Sequence, residues 1–405
     1  MDKVLKYKKH LIESSPVIVG LLILLVLLFI PTGFEDALLY KGTERCKVEV
    51  ISVDNNNILD TGLVRSGEQT CEVKVLEGRF KGRTVQGVNV LNGSLESDKI
   101  FVAGDKAFVL IDYSGEDIRY VNMIDHYRLD NELILAAIFV LLLVLFAGKT
   151  GLRALLSFVI TVLAIWKVLI PQYLQGRNPV FVGLIITISL TIIIIALVYG
   201  FNKKTLSAVS GSMLGILTTC ILGMIFTDLF NIHGAVMSSS ESLLYSGYQH
   251  LSLTKIFMAS IFIGSAGAIM DLAVDITSAV NEVVENCPTI SRWEAIRSGI
   301  HVGKAVMGTM TTTLLLAYSG GYVALLMVFM AQGTPILNIL NYKYVEAEIL
   351  HTIIGSFGLI TVAPFTAMTA GILLTNKKKE NEKVNEKEIS LEINSVEQIT
   401  EQYEA

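Results

Sequence analysis

Asp271 and Asp275 stand four residues apart inside an apolar stretch, 256–280, in a chain whose membrane-length segments otherwise carry charges only near their ends. Four residues is about one helical turn, so both carboxylates fall on one face of a helix. An acidic side chain in hydrocarbon costs about 3 kcal/mol or more unless it is paired, hydrated or neutralised. Such residues therefore mark an ion or proton path, or a structural polar contact.

Small residues accompany them. Ser260, Gly264 and Ala268 fall along one line of the helix, and Gly267, Asp271 and Asp275 along the adjacent one. Small side chains admit a neighbouring helix closely enough for it to donate hydrogen bonds to a carboxylate. The next apolar stretch opens with Met307-Gly308-Thr309-Met310-Thr311-Thr312-Thr313, in which Thr309, Thr312 and Thr313 share a side. If the two stretches are antiparallel neighbours, these hydroxyls lie at the depth of the aspartates. Oxygen groups of this kind suit a proton, Na⁺ or a hard divalent ion. The competing reading is structural: Asp275 pairs with Lys304 or Arg297, and the threonines bond their own backbone. Gly308, together with Gly211 and Gly215 at small-xxx-small spacing in another apolar stretch, is expected to serve helix packing.

What must position these residues is a bundle of membrane helices. The chain has 405 residues, is 52% hydrophobic and only 17% charged, with mean hydropathy +0.58, which excludes an ordinary soluble globular protein. Runs long enough to cross a bilayer lie at about 16–32, 132–147, 152–170, 180–200, 206–226, 256–280, 305–331 and 349–374, so eight spans are expected. The second is short, and Gly320-Gly321 interrupts the seventh. Lys3, Lys6, Lys8 and Lys9 precede the first span, and Lys/Arg groups recur after every even-numbered one: Lys149 with Arg153, Lys203 with Lys204, Arg292 with Arg297 and Lys304, and Lys377 to Lys379. Both termini are then cytoplasmic. The first span has a basic start and an apolar core like a signal peptide, but no small-x-small cleavage site follows it; an uncleaved anchor is the expectation.

The resulting plan has a basic N-terminus (1–15), an anchor (16–33), an extracytoplasmic β domain (34–130), a seven-helix membrane domain (131–375) and a charged tail (376–405) expected to be disordered or a solvated helix. The β domain shows short alternating runs such as Cys71-Glu72-Val73-Lys74-Val75, punctuated by Glu77-Gly78, Lys81-Gly82 and Gly104-Asp105 turns. A five- or six-stranded barrel of the OB or SH3 kind is expected. It is not strongly basic, so nucleic acid is not expected as a partner. Cys46 and Cys71 fall in this segment, where a bridge is chemically allowed; two unpaired thiols on neighbouring strands fit the sequence equally well.

Other polar positions carry weaker signals. Glu348 and His351 have ExxH spacing on the outer side, with His233, His250, Asp228 and Glu241 on that side too. A single such element is a poor metal signal, and surface polar residues are expected. Lys167 beside Trp166 reads as a snorkelling anchor. Pro288 ends one helix and Ser291 caps a short one, with Trp293, Ile296 and Ile300 on one side, expected to lie along the inner membrane surface. No phosphate-binding loop, HExxH helix or GxSxG elbow is present, and two aspartates on one helix do not make an aspartyl-protease pair, so neither an enzyme nor a cofactor is expected.

The stretch from Gly264 through Asp271 and Asp275, followed by Arg297-Ser298-Gly299 to Lys304 and by Met307 to Tyr318, resembles the YibE/F family of bacterial membrane proteins, as do Gly200 to Ala208 and the hairpin Glu77 to Arg83. The resemblance implies a multi-pass plasma-membrane protein of a Gram-positive bacterium, and no catalytic residues. Two functions follow as expectations. One is an ion- or proton-coupled permease or channel with its polar site between the sixth and seventh spans, the bilayer and a small ion being its partners. The other is a non-transporting assembly or accessory protein that meets an extracytoplasmic protein through its β domain. The oligomeric state is not legible in the sequence.

Overall fold

The computed structural model describes residues 2–35 and 42–375, so the charged tail at 376–405 lies outside the described residues. The chain divides into two compact units, one of residues 34–148 and one of 1–33 with 149–405.

The first unit holds a five-stranded barrel. Its strands are β1 (Thr43–Asp54), β2 (Ile58–Asp60), β3 (Arg65–Val75), β4 (Thr84–Asn92), β5 (Lys106–Ser114) and β6 (Asp117–His126). β1 is long enough to serve two neighbours: its first half pairs with β5 and its second with β3, the two pairings overlapping at Val48 and Glu49, with a register shift between Val50 and Ser52 within the β3 pairing. Antiparallel β3–β4 and β5–β6 pairs and a short parallel β4–β6 contact at Val88 and Asn122 close the circuit, while β2 is a hairpin extension on β3. The alternation seen in sequence sets the inside: Cys71, Val73 and Val75 of β3 and Ala107, Val109 and Ile111 of β5 are buried with Phe80 and Phe101.

Both barrel cysteines are buried and free. The possible Cys46–Cys71 bridge is therefore corrected, and strand register supplies the reason. Cys71 pairs with Val53, seven positions along β1 from Cys46, whose own partner is Val109 on β5. Burial pushes each thiol up to about 11.

The helical part comprises α1 (Asp2–Phe29), α2 (Leu129–Ala164), α3 (Ile170–Leu174), α4 (Pro179–Tyr199), α5 (Lys203–Leu229), α6 (Ser240–Tyr245), α7 (Leu253–Asn286), α8 (Arg292–Ser319), α9 (Val323–Ala331), α10 (Ile336–Leu340) and α11 (Lys343–Leu374). Among the described residues, six helical stretches are long and apolar enough to cross a membrane, and a shorter apolar stretch covers Ser15–Phe29. The expected second and third spans run together as the 46-residue stretch Leu129–Leu174. They are separated by Gly148, whose φ of 54° and ψ of −125° suit only glycine, and this break is also where the two units divide.

α11 packs on α5, α7 and α8 through small residues. A Cβ at Gly211 of α5 would sit 2.0 Å from Thr366 Oγ1, and one at Gly215 would sit 3.0 Å from Val362 and from Ile269 of α7. Gly303 and Gly299 of α8 face Ile276 and Val280 of α7 equally closely. Lipid tails give no hydrophobic drive between helices, so such backbone approach is what holds the bundle.

Three local expectations meet the structure differently. The surface helix beginning at Arg292 is the first part of the 28-residue α8; its capping box at Ser291 and Glu294 forms, but Ala295, Ile296 and Gly299 are buried against neighbours. The double glycine does break the seventh span, as a 3₁₀ turn, Gly320–Tyr322, between α8 and α9. Lys167 lies in a π-helical turn, Ile165–Leu169, and donates to the carbonyls of Leu28 and Ile30 at 3.2 and 3.1 Å, capping the end of α1.

Candidate functional site

α7 starts at Ser252, whose side chain accepts from the Lys255 amide, and runs for 34 residues without proline. One face, including Phe262, Ala266, Ile269, Ala273 and Ile276, is fully packed. The opposite face consists of Gly264, Gly267, Asp271, Asp275, Ser278 and Glu282, all exposed. The sequence placed both aspartates on one side of the helix, and they are on one side; it is the side that points away from the bundle.

The neighbouring helix is α8, running antiparallel. Gly264 lies against the Tyr318 hydroxyl and Ile276 against Gly303, which brackets Asp271 at about the level of Thr309 and Asp275 at about that of Lys304. Thr309, Thr312 and Thr313 are exposed as well. Thr309 donates to the Val306 carbonyl at 2.9 Å and Thr313 to that of Thr309 at 3.0 Å, so these two hydroxyl protons are spent on their own helix. Their lone pairs stay open. Among the described residues no hydrogen bond or ion pair reaches either aspartate, so pairing of Asp275 with Lys304 or Arg297 does not occur within one chain.

Gly267 and Gly308, expected as packing positions, face open space: a Cβ at either would meet nothing within 4 Å. This part of the seam between α7 and α8 is a shallow polar strip, not a helix contact. On its other flank Tyr199 of α4 bonds the Val274 carbonyl at 2.6 Å and the Ser278 hydroxyl at 2.5 Å, holding α4 beside the turn that carries Asp275. Lys204 and Glu285 form an ion pair at 3.7 Å at the inner end.

The outer-side polar residues do not converge. His233 caps the turn Gly234–Val236 by accepting from the Ala235 amide, and His250 lies 3.3 Å from the Leu174 carbonyl. Among the described residues no group of three His, Cys, Asp or Glu side chains could hold a metal ion.

His351 behaves differently from the expected surface residue. Its Nε2 lies 3.0 Å from Ser260 Oγ on α7, and its ring stacks on Tyr318 of α8 (centroids 5.7 Å apart, planes at 19°) and tilts against Phe257 (4.9 Å). The ExxH spacing was the only sequence signal for it. That spacing reports a shared helix face, not that α7 and α8 close over it.

A search of curated proteins and one of solved structures give no match. A family model described as YibE/F-like protein matches residues 135–376, which takes in α7, α8 and α11 and leaves the barrel, with its Glu77 to Arg83 hairpin, outside the match. The chain, a multi-pass membrane protein by its apolar helices, belongs to the YibE/F-like protein family.

Proposed function

We propose that the chain is an ion- or proton-coupled permease or channel of a bacterial plasma membrane, with its path along the outward face of α7 beside α8. The observation that carries this reading is a pair of carboxylates in a membrane-length helix, on the face opposite its packed face, with no internal partner. At such a depth a carboxylate needs water, a cation or a proton. Open glycines on both helices leave room for one beside the threonine oxygens.

The reading takes eight crossings with both termini inside, and the helix contacts support it. Gly20 of α1 lies against Leu156 and Ile160 of α2, and the end of α1 meets Lys167, so α1 and the stretch after Gly148 run in the same direction. The chain between Gly33 and Lys149 then leaves at one membrane face and re-enters at the other. The apolar residues 129–147, about 28 Å as a helix, supply the return crossing. The barrel then lies outside, inserted between the first and second crossings. Its strand circuit, β1-β3-β4-β6-β5 with one parallel pair, supports reading it as an OB-type barrel.

The test is a flux assay in liposomes with Asp271→Asn and Asp271→Ala. Loss of proton or cation flux by about tenfold or more in both, with unchanged folding, is expected; full activity in both removes the site. The accessory-protein reading draws on the barrel, where Leu63 and Leu95 are 76% and 74% exposed around a cleft with Asp60, Arg65 and Asp98. It wins if deletion of residues 42–126 abolishes the cellular phenotype while the aspartate variants are silent.

A further inference from the structure

The Asp271 face leaves unused a second set of polar groups, toward the other end of the same helices. Ser260 on α7, Tyr318 on α8 and His351 on α11 are brought together there, with Gly264 making room for the Tyr318 hydroxyl: a Cβ at that position would sit 2.7 Å from it. Tyr318 Oη and Glu348 Oε1 are both buried and bond to nothing. Leaving a buried polar group unbonded costs about 1–3 kcal/mol each, so the two call for an occupant.

The hydrogen bonds fix which protons are present. Ser260 Oγ donates its one proton to the Phe257 carbonyl at 2.7 Å, so at 3.0 Å from His351 it can only accept. His351 therefore carries its proton on Nε2 and offers the Nδ1 lone pair. Glu348, three residues earlier, is on the same side of α11. It borders an apolar cleft of about 320 Å³ with Leu315, Tyr322 and Leu326 across from it. Tyr322 lines the same cleft as Glu348, and among the described residues no lysine or arginine pairs with the carboxyl group.

We propose that Glu348 and His351 form a proton-binding site, with Glu348 as the carrier of the proton and His351 and Tyr318 as the polar neighbours that tune its affinity. The titratable groups around it are Tyr318 and Tyr322 beyond α11, and Glu348 and His351 on it; α7 contributes Phe257 and Ser260, which do not titrate. A proton needs no coordination shell, and one buried, unbonded carboxyl oxygen suffices to hold it. Binding forms an O–H bond on Glu348 from a solvent proton, and release returns that proton to water, with no other bond changed. The site stands apart from Asp271, because its titration is read on its own groups.

The experiment is infrared difference spectroscopy of the full-length protein in lipid nanodiscs between acidic and alkaline buffer, following the stretch of protonated carboxyl groups. With Asp271 and Asp275 changed to Asn to remove their bands, a titrating carboxyl band is expected to remain and to vanish on adding Glu348→Gln. Tyr318→Phe and His351→Gln are each expected to move its midpoint by about one pH unit, tenfold in proton affinity. A band unchanged by Glu348→Gln, or no band at all, overturns the proposal. Should Glu348→Gln fail to fold, ¹⁵N-histidine spectra decide. His351, assigned by its loss in His351→Gln, must show the Nε2–H tautomer and a pH response at the carboxyl midpoint; a different tautomer or a flat response overturns it.

Discussion

Gln69 in the barrel and His351 in the helical bundle each put a polar side chain among apolar neighbours, yet their surroundings differ. The Gln69 amide donates to Asn55 and to the Phe101 carbonyl, and its oxygen accepts from Asn89 and from the Phe101 amide, at 2.8 to 3.1 Å. Every group on that side chain is used. Around His351, one ring nitrogen is engaged while the neighbouring tyrosine hydroxyl and glutamate oxygen are not. A side chain with every group used fixes a fold, although the Oδ1 of its partner Asn89 is itself buried and unbonded; a titratable group left unbonded costs stability and keeps binding capacity. Polarity alone does not mark a site. Unfilled polarity on a titratable group is the stronger sign.

The contrast can be broken or sharpened by substitution. The largest effect is expected where the bundle is tightest: Gly211→Leu must force α5 from Thr366 of α11, costing about 3 kcal/mol or more, whereas Gly267→Ala, facing open space, is tolerated. The fraction of monodisperse protein after extraction, and its thermal midpoint, read this. Equal yields of both would mean that the α5–α11 seam is not what holds the bundle.

Next comes Gln69→Ala, expected to lose about 2–4 kcal/mol because it strands Asn89 and both Phe101 backbone groups. Tyr318→Phe removes a hydroxyl that bonds to nothing and should change stability by less than about 1 kcal/mol. Denaturation of the two variants side by side decides; a Tyr318→Phe loss matching that of Gln69→Ala would close the distinction between the two regions.

A smaller effect concerns the barrel thiols. Their folded-state values of about 11 lie above the ordinary 9.0, so the folded barrel holds its thiol protons more tightly than the unfolded chain. Stability from this source is complete below pH 9.0 and falls as pH rises toward about 11, by at most about 2–3 kcal/mol per thiol. Alkaline unfolding should be steeper in the wild type than in Cys46→Ala/Cys71→Ala. A reductant should leave both unchanged below pH 9.0.

Much of this architecture was legible. Period-two alternation announced the barrel, apolar run length announced the helices, and Ser291 with Glu294 announced a helix start that forms as a capping box. The i,i+4 spacing of Asp271 and Asp275 gave their shared face. It could not say whether that face points in or out, because small residues suit both a packed seam and an open strip: Gly211 and Gly267 look alike in sequence and have opposite surroundings. The cysteine question likewise turned on register, which the alternation of either strand leaves free by any even number of residues. The His351 grouping joins residues on three helices about ninety positions apart, and no local pattern encodes that.

The π turn at Ile165–Leu169 gives the helix that carries Lys167 an unusual tolerance. A turn of this kind holds one residue more than an α turn, so removing a single residue there, such as the exposed Trp166, lets the ladder relax to the ordinary form with Ile170–Leu174 keeping its azimuth. The same deletion a few turns earlier would rotate everything after it by about 100°. One short segment thus works as a length buffer, and the clasp on the end of α1 is the feature that its extra residue makes possible.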